Sequence, residues 1–520
     1  MARCHRWQAP GRRWPVHLGG FPIRMKGGHT HVEGIKRDLI GVVGAENVLD
    51  DAATLKSYSR DESFVLPLKP RLVCRPGSED EVQAVIAWAN EAGTPLVPVS
   101  SGPPHFYGDT VPGVPGAVIV DMRRLNKIRR IDRRNRIVVI EPGVTYGKLG
   151  PALAEYGMRV TPPLFPRANK SVVASLLERQ PTLIPRCNYS MPEPLRNCGV
   201  IWGDGTRFFT GEAGWGPADL EGQWAGGSRQ VDPKGPAQTD FYRLLTGAQG
   251  TLGIVTWASV KCELLADPKK TLFVPADRLE QLVDLSYRLT RLRVGDELFI
   301  VNNSCLAALL GADAADIAAL TESVPPWILI ARVGGRAIMA AERMAVAEKD
   351  IAAEVAARGL RLQSAIPAVA TTRVDAAVDG LAEEPHWKFR HKGSVRDIFF
   401  LTTLDKVPAF VGSVVDTAEA HKYPAGDIGV YLQPQHQGMA YHCEFSLPFD
   451  PTDAGEKAKM RGLFAAASEQ LIGEGAYFSR PYPDWADKVY NRDAASREAL
   501  RVVKKILDPN NILNPSKLCF

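Results

Sequence analysis

The sequence predicts an α+β protein with two or three packed units. At 520 residues the chain is longer than one hydrophobic core usually supports. Short apolar runs, such as residues 96–99 and 117–120, alternate with stretches of helical periodicity, such as residues 82–92. Strands and helices that alternate in this way are typical of sheets covered by helices.

Composition argues against several classes of function. Hydrophobic residues make up 45% of the chain and charged residues 23%, which is ordinary for a globular protein. The net charge of +5 is small for this length, so we expect no nucleic-acid partner. The eight cysteines are scattered without a Cys-x-x-Cys pair, which argues against a zinc or iron–sulfur site and fits a reducing, cytoplasmic location. No apolar run approaches the ~20 residues that span a bilayer, so we expect no membrane span.

The amino-terminal part begins with an irregular segment and then becomes globular. Residues 1–30 are rich in Arg, Trp, Gly and His without periodicity, and we expect an extension there. Residues 71–74 then predict a strand. Ser78 and Glu81 have the spacing of a capping box, which predicts the start of a helix that ends near Ala92. This strand and helix are expected to form the scaffold that leads to the next strand.

A loop of small residues follows the strand at 96–99. Residues 100–109 (SSGPPHFYGD) are rich in Ser, Gly and Pro, and another buried strand ends at Asp121. Where small residues keep Cβ atoms out of the way, backbone N–H groups converge on an anion such as a pyrophosphate. The loop has neither the Gly-Lys-Ser/Thr of a Walker A motif nor the helix that follows a Rossmann Gly-x-Gly-x-x-Gly. The residues alone therefore leave two interpretations, a nucleotide-phosphate loop and an ordinary surface turn.

Residues 269–454 repeat a theme of strand and helix. Strands are predicted at 271–274, 298–301, 327–331, 397–401, 429–432 and 439–447, with helices at 276–292, 337–358 and 407–421. Such strands pair antiparallel, and the helices between them predict an α+β sheet covered on one face. Helices at 455–472 and 497–507 complete the chain.

Six segments of the chain, taken in order, carry a family resemblance. They are the loop with Tyr107-Gly108, residues 140–146 (IEPGVTY), residues 171–179 (SVVASLLER), residues 202–211 (WGDGTRFFTG), residues 247–256 (GAQGTLGIVT) and residues 507–515 (LDPNNILNP). These segments resemble the flavin-contacting stretches and the terminal motif of the vanillyl-alcohol oxidase and para-cresol methylhydroxylase (PCMH) family. The resemblance covers roughly residues 38–520.

The resemblance implies a PCMH-type FAD-binding domain in two parts with an inserted α+β substrate cap. We accordingly divide the chain into an irregular extension (1–30), the FAD-binding domain (31–268), the cap (269–454) and a segment that returns to the FAD domain (455–520). The implied enzyme is an FAD-linked oxidase or dehydrogenase that transfers hydride from a small alcohol or alkylphenol to flavin N5. A homo-oligomer is also expected, and the electron acceptor, whether oxygen, a cytochrome or an iron–sulfur subunit, is left open.

The resemblance also names the residues expected to contact FAD. They are Ser100, Ser101, Gly102, His105, Tyr107, Gly108, Pro142, Gly143, Ser171, Gly250, Thr251, Gly253, Ile254 and Val255. In histidyl-flavin relatives, a His at the place of His105 bonds covalently to the flavin 8α carbon, since a neutral imidazole is a nucleophile towards an electrophilic methylene. The alternative for His105 is a hydrogen bond to a phosphate.

Four residues are candidates for catalysis: His442, Glu444, Tyr477 and Arg480. Alternation along a strand puts His442 and Glu444 on one face, opposite Cys443, as a pair for proton transfer or substrate binding. The alternative is a polar face turned to solvent. Related alkylphenol oxidisers use a Tyr and an Arg in the comparable part of the chain to stabilise a phenolate, which makes Arg480 the candidate anchor for an anion.

Asn188 departs from the family pattern. It falls where vanillyl-alcohol oxidase relatives carry a catalytic aspartate, and an amide cannot accept a proton as a carboxylate does. The Gly-His-x-Gly-Asp-Gly-Asn-like metal motif of the hydroxy-acid branch is also absent, so no metal site is expected. Two further functions stay open: a D-2-hydroxy-acid dehydrogenase of the lactate or glycolate type, and a flavin-binding electron-transfer subunit without catalysis of its own.

Overall fold

Strands and helices alternate through the computed structural model, which describes residues 32–186, 193–215, 219–226, 239–336 and 338–520. The strands in chain order are β1 (Val48–Leu49), β2 (Leu72–Cys74), β3 (Leu96–Val99), β4 (Val118–Asp121), β5 (Ile128–Asp132), β6 (Ile137–Ile140), β7 (Met158–Arg159), β8 (Leu195–Trp202), β9 (Arg207–Phe209), β10 (Gly253–Lys261), β11 (Glu263–Leu264), β12 (Lys269–Ala276), β13 (Glu297–Asn302), β14 (Trp327–Gly334), β15 (Ser394–Thr402), β16 (Gly429–Gln435) and β17 (Ala440–Phe449).

The helices in chain order are α1 (Val32–Val43), α2 (Ala52–Ser57), α3 (Glu79–Ala92), α4 (Tyr146–Ala154), α5 (Val172–Leu177), α6 (Leu220–Ala225), α7 (Tyr242–Leu245), α8 (Glu280–Leu292), α9 (Asn303–Leu310), α10 (Ala314–Ser323), α11 (Ala340–Ala356), α12 (Thr371–Asp379), α13 (Val407–Ala420), α14 (Ala454–Gly473), α15 (Pro483–Tyr490) and α16 (Ala494–Leu507). The predicted extension at residues 1–30 and the position of Asn188 lie outside the described residues.

The first sheet has the strand order β1-β2-β4-β3, and β4 is parallel to both of its neighbours. Helix α3 begins at the predicted cap: the Ser78 hydroxyl accepts a hydrogen bond from the Glu81 N–H at 3.1 Å. The Glu81 carboxylate accepts one from the Gly77 N–H at 2.7 Å. Because parallel strands end at the same edge, the loop after β3 and the residues after β4 meet at the carboxyl edge of this sheet.

The second sheet is antiparallel, with the order β5-β6-β10-β8-β9. Its strands β6 and β10 are buried along almost their whole length, since their side chains are apolar or small on both faces. Strands β5 and β6 form a basic hairpin whose tip, residues 133–136, carries three arginines. Strand β10 starts at Gly253, inside the predicted flavin-contacting segment 247–256, and so fixes where that segment lies.

The third large sheet is antiparallel, with the order β12-β14-β13-β16-β17-β15. The prediction that helices cover one face is wrong for its first three strands. On one face, Leu298 and Ile300 pack in a core with α8 and α11, and on the other Phe299 and Val301 pack with α9, α10 and α12. Strands buried on both faces read as continuous apolar runs, as residues 298–301 do.

The other half of this sheet leaves one face open. Along β17 the buried Cys443 and Phe445 point into the core, while His442, Glu444 and Ser446 point to the opposite side. This face is turned towards the first two sheets, and it provides one wall of the cavity described below.

The carboxyl end of the chain ties the first two sheets together. Leu96 donates its N–H to the carbonyl of Ile512 at 2.7 Å, and Asn514 donates its N–H to the carbonyl of Leu96 at 2.8 Å. The Asn514 side-chain amide also donates to the carbonyls of Asp109 (2.9 Å) and Gln249 (2.8 Å). One asparagine thus holds together the small-residue loop and the segment before β10.

The predicted division at residues 30, 268 and 454 stays a prediction. Helix α14 buries Leu463, Phe464 and Leu471 in the core of the six-stranded sheet. Val503 and Leu507 of α16 pack instead on the core of the second sheet. This packing favours a return to the first two sheets only after α14.

Within the part of the chain that the structure describes, no helix combines the length and the apolar character needed to cross a membrane.

Candidate active site

A cavity lies where the carboxyl edge of the first sheet, the start of β10 and the open face of the six-stranded sheet meet; we call it the first cavity. Its loop side includes Pro98, Val99, Ser100, Ser101, His105, Pro142, Val173, Leu177, Gly250, Gly253, Ile254 and Val255. Its sheet side includes Phe106, Tyr107, His386, Trp387, Lys388, Asp397, Tyr431, Glu444, Arg480 and Tyr482. The cavity therefore joins predicted flavin contacts to a cluster of charged and aromatic side chains.

Serine side chains connect two of the predicted flavin-contacting stretches. Ser171 caps α5, and its hydroxyl donates a hydrogen bond to the carbonyl of Pro142 at 2.5 Å. Its N–H donates to the Ser101 hydroxyl at 3.1 Å. Ser171 thus holds the small-residue loop and the turn after β6 in place from behind the cavity wall.

Gly250 lets the segment before β10 approach β3 closely. Its φ is +68°, and a Cβ atom there would lie 2.4 Å from the ring of Pro98. Only glycine tolerates both this backbone conformation and this distance without strain. Gly143 is similar, since a Cβ atom there would lie 2.7 Å from the backbone oxygens of Arg123 and Leu125.

The remaining predicted FAD contacts take part in hydrogen bonds that fix the backbone beside the cavity. The carbonyl of Gly102 accepts from the Arg167 guanidinium, and the carbonyl of Gly108 accepts from Lys517 at 2.7 Å. The Thr251 hydroxyl donates to the carbonyl of Ala248 at 2.7 Å. Gly102, Gly108, Gly143, Ser171 and Thr251 are therefore placed around the wall, while the other predicted contacts line it.

His105 lines the cavity with a nitrogen that has no hydrogen-bond partner among the described residues. That atom is Nε2, and it is buried. Burial, together with the charges of Lys170 and Arg167, lowers the pKa of His105 to about 3, so the imidazole is neutral at pH 7. A neutral imidazole beside this space suits both interpretations of His105, because it is a nucleophile as well as a hydrogen-bonding group.

The loop side fits FAD. Its apolar walls suit a flat ring system, and the small residues Ser100 and Ser101 lie at the cavity surface. Among the described residues, His105 Nε2 has no hydrogen-bond partner, and Gly250 brings its segment close to β3 beside this cavity. With FAD bound, these residues would hold the nucleotide beside the charged cluster on the sheet side.

The charged cluster is centred on a buried lysine. The Lys388 ammonium donates to Asp397 at 2.8 Å and to Glu444 at 2.6 Å. Asp397 also accepts from the Ser446 hydroxyl at 2.7 Å, and Glu444 is hydrogen-bonded to His442 Nε2 at 3.1 Å. The pairing of β15 with β17 sets Asp397 opposite Ser446, which brings the two carboxylates to one lysine.

Burial and charge act in opposite directions on this cluster. Burial raises the pKa of Asp397, and the Lys388 charge offsets only part of that effect. Burial also raises the pKa of Glu444. The charge of Lys388 and the hydrogen bond from His442 outweigh burial and hold the pKa of Glu444 well below its usual range. Burial lowers the pKa of His442, so its imidazole is neutral at pH 7. The cluster therefore contains one firmly ionised carboxylate, hydrogen-bonded to a neutral imidazole.

Aromatic rings form the rest of the sheet side. Tyr107 stacks on Tyr482 with ring centroids 4.6 Å apart. The ring of Phe106 lies 5.6 Å from that of Phe389 and 5.5 Å from that of His386. Offset aromatic pairs of this kind make a rigid apolar surface that suits a planar substrate.

Arg480 lies at the edge of the first cavity and is only 6% exposed. Its guanidinium carbon sits 4.0 Å from the ring centroid of Phe399, and one nitrogen donates a long hydrogen bond of 3.5 Å to the carbonyl of Glu178. Among the described residues no carboxylate pairs with it, so a buried cation is left available to an anionic ligand.

The structure brings together three of the four catalytic candidates. Glu444 and Arg480 line the first cavity, and His442 contacts Glu444 from behind. Tyr477 does not line it; its side chain is 63% exposed. Tyr482, two positions beyond Arg480, lines the cavity instead.

Sequence reasoning did not single out His386, Lys388, Asp397 or Tyr482. The sequence did contain an indication for Asp397, since a charged residue at the start of the apolar run 397–401 is unusual in a buried strand. Lys388 had none, because it comes from an irregular charged stretch whose position depends on long-range packing.

Comparisons with known proteins agree with the cofactor predicted for this cavity. A family model described as an FAD binding domain matches residues 70–177. This match confirms FAD as the predicted cofactor.

Two relatives show how far the similarity extends. An uncharacterised FAD-linked oxidoreductase of Mycobacterium tuberculosis is 24% identical over 302 residues, 56% of this chain, and the match spans only 60% of that protein's length. A D-2-hydroxyglutarate dehydrogenase of Stutzerimonas stutzeri is 23% identical over 496 residues, which cover 92% of this chain and 98% of that protein.

A solved structure of p-cresol methylhydroxylase with substrate bound superposes with a TM-score of 0.78 at 18% identity, and the match covers 94% of this chain and 96% of that chain. At this identity the likeness shows the fold, and it confirms the fold class predicted from the sequence.

Proposed function

This chain carries the FAD-binding domain and the fold of the PCMH-type flavoproteins, and from that premise we propose that it is an oxidoreductase. Its substrate would be a small aromatic alcohol or alkylphenol, oxidised at a CH–OH or benzylic CH group. When bound, FAD supplies the acceptor for a hydride. We assign the binding of the substrate and the transfer of its hydroxyl proton to residues around the first cavity.

One observation carries this proposal. A single cavity is lined both by the flavin-contacting stretches and by the cluster of Lys388, Asp397, Glu444 and Arg480. Titratable groups with shifted pKa values beside a cofactor site are the usual mark of a reacting centre. A domain that only stored a flavin would have no use for a buried lysine and two carboxylates in its cavity.

Glu444 and His442 are proposed to handle the proton of the substrate hydroxyl. Glu444 is ionised and lines the cavity, so its oxygens accept a hydrogen bond from that hydroxyl. His442 is neutral, so its Nε2–H donates to the ionised Glu444 at 3.1 Å and orients the carboxylate, while Glu444 takes the hydroxyl proton. Lys388 fixes the Glu444 carboxylate in one orientation through its 2.6 Å contact.

Arg480 is proposed to face the negative charge of the substrate. A phenolate or a carboxylate in a desolvated cavity is costly unless a cation meets it. The guanidinium fork suits either group. The stacked pair Tyr107 and Tyr482 then supports an aromatic ring, which favours an aromatic alcohol or alkylphenol.

A D-2-hydroxy acid is the second candidate substrate. The observation that favours it is the match of the D-2-hydroxyglutarate dehydrogenase over 92% of this chain. Arg480 would then bind the carboxylate, while Glu444 and His442 take the hydroxyl proton.

Anaerobic rapid mixing of the holoenzyme with both substrate classes tests the proposal. Bleaching of the flavin absorbance by an aromatic alcohol or alkylphenol supports the first candidate, and bleaching only by a D-2-hydroxy acid supports the second. A flavin that none of them bleaches, but that a chemical reductant does, would support a flavin-binding electron-transfer subunit instead. The cytochrome or iron–sulfur partner, the homo-oligomer and the cytoplasmic location stay predictions.

A further inference from the structure

A second cavity shares a wall with the first. It lies at the end of β16 and has a volume of about 240 Å³. Arg480 borders both cavities, while His442 lines the second and its hydrogen-bond partner Glu444 lines the first. The proposed substrate chemistry makes no use of this space.

The second cavity is electropositive. Arg179, Arg243 and Arg480 line it, and none of the described residues that line it is acidic. Burial lowers the pKa of both His436 and His442, so these two imidazoles add no charge at pH 7. Arg480 is buried, Arg179 is half-buried, and Arg243 is exposed and lies near Asp240. Guanidinium groups around one cavity favour a carboxylate or phosphate between them.

Gln435 gives a second, independent indication of a ligand. Its side chain lines the cavity, is 2% exposed, and neither its amide nitrogen nor its amide oxygen has a hydrogen-bond partner among the described residues. Gln433 on the same strand is different, since its nitrogen donates to the carbonyl of Leu298 at 3.0 Å and its oxygen accepts from the Tyr431 hydroxyl at 2.9 Å.

A buried amide without partners is costly, so the cavity suits a ligand that satisfies it. The Gln435 nitrogen needs an acceptor and its oxygen needs a donor. A carboxylate alone supplies only acceptors. A carboxylate that also carries a hydroxyl group supplies both and brings the negative charge that the arginines favour.

We propose that the second cavity is a binding site for a small hydroxycarboxylate, whose carboxylate contacts Arg480 and Arg243 and whose hydroxyl contacts Gln435. The ligand does not react there. Its carboxylate engages Arg480 from the side opposite the first cavity, and its charge lies beside His442. Occupation of this site therefore weakens the hold of Arg480 on a substrate anion in the first cavity.

The test uses the FAD-loaded enzyme and a matched pair of acids, 2-hydroxy-2-methylpropanoate and 2-methylpropanoate. The carbinol carbon of the first has no hydrogen, so this acid cannot donate a hydride and binding is measured without reaction. Calorimetric titration should show saturable binding of the hydroxy acid, about fivefold tighter or more than binding of the acid without the hydroxyl. No saturable binding would overturn the proposal.

Two variants assign the binding to the second cavity. Gln435→Met should abolish the preference for the hydroxy acid without lowering Tm, because no hydrogen bond within the protein is lost. Arg243→Ala should weaken binding of both acids by about tenfold. Arg134→Ala, at the exposed tip of the basic hairpin, is the control and should bind as the wild type does.

Three outcomes count against the site. Wild-type affinity in both variants would place the acid in the first cavity. A lower Tm in Gln435→Met would show that the amide is already satisfied within the protein. Equal losses in Arg134→Ala would show that only net charge matters. Since binding heat is the readout, these outcomes are independent of whether any substrate reduces the flavin.

Discussion

Arg480 borders both cavities and is the cation that we propose contacts an anion in each of them. It is almost fully buried, its guanidinium donates to the carbonyl of Glu178, and no carboxylate of the described residues forms an ion pair with it. Losing one partner of a buried charge contact costs ~2–5 kcal/mol. We therefore expect Arg480→Ala to slow flavin reduction by substrate more than about tenfold, with FAD content and folding unchanged. Rapid-mixing absorbance measurements check this.

Arg480→Lys is the matched variant for that experiment. It should recover only part of the rate, because an ammonium group lacks the planar fork. A wild-type rate in Arg480→Ala would show that the substrate anion is held elsewhere.

His105 decides whether the flavin is bound covalently. His105 lines the first cavity, and its Nε2 has no hydrogen-bond partner in the part of the chain that the structure describes, which is compatible with a covalent bond and with a hydrogen bond. If the bond is covalent, flavin should stay with the polypeptide after acid denaturation of the wild type and be released from His105→Ala. Flavin released from the wild type would rule out the covalent bond and leave the hydrogen-bonding alternative.

His442 makes stability depend on pH. Its pKa is lowered by burial, so between that pKa and 6.5 the unfolded chain binds more protons than the folded protein. The stability it contributes is present above pH 6.5 and is lost as pH falls. Replacement by Gln should therefore make the free energy of unfolding less dependent on pH between 6.5 and 5, by at most about 1.4 kcal/mol per pH unit.

Denaturant unfolding at several pH values measures that slope. A steeper dependence in His442→Gln than in the wild type would mean that the folded protein protonates His442 more readily than the unfolded chain does.

Among the elements, the segment before β10 allows the most specific prediction, which concerns Gly250. Gly250 combines a positive φ with a close approach to Pro98, so Gly250→Ala meets both backbone strain and a steric clash. We expect a loss of about 2 kcal/mol or more in stability and weaker FAD retention.

Gly93→Ala is the control, because Gly93 has a φ of +59° but no atom within 4 Å of the place where a Cβ atom would lie. It should lose only about 1 kcal/mol and keep its FAD. Equal effects in the two variants, measured by thermal unfolding and flavin absorbance, would contradict the close approach at Pro98.

Local signals were sufficient to predict many elements. The capping box at Ser78 starts α3, and the alternation along β17 puts His442 and Glu444 on the face opposite Cys443. Both depend on residues a few positions apart. The number of covered faces on the six-stranded sheet was predicted wrongly, because it depends on where α9, α10 and α12 return after long connections.

At the scale of the whole molecule, the sequence did not predict that Lys388 and Asp397 join Glu444 in one charged cluster. Lys388, Asp397 and Glu444 come from three separate segments. The register that pairs β15 with β17 brings the two carboxylates together, and Lys388 contacts both from the stretch before β15. Register is not visible in any one segment. The flavin-contacting stretches were predictable because each is a short motif with its own backbone requirement, such as the positive φ of Gly250.

The central claim is that substrate meets the flavin in the first cavity, with Glu444 facing the substrate. The most direct test is the rate of anaerobic flavin reduction in Glu444→Gln, which keeps the shape of the side chain and removes its charge. We predict a rate lower by about a hundredfold with full FAD content, measured at a temperature at which the variant is folded, because Tm should fall when Lys388 loses an ionised partner. Reduction at the wild-type rate in that variant would contradict the claim.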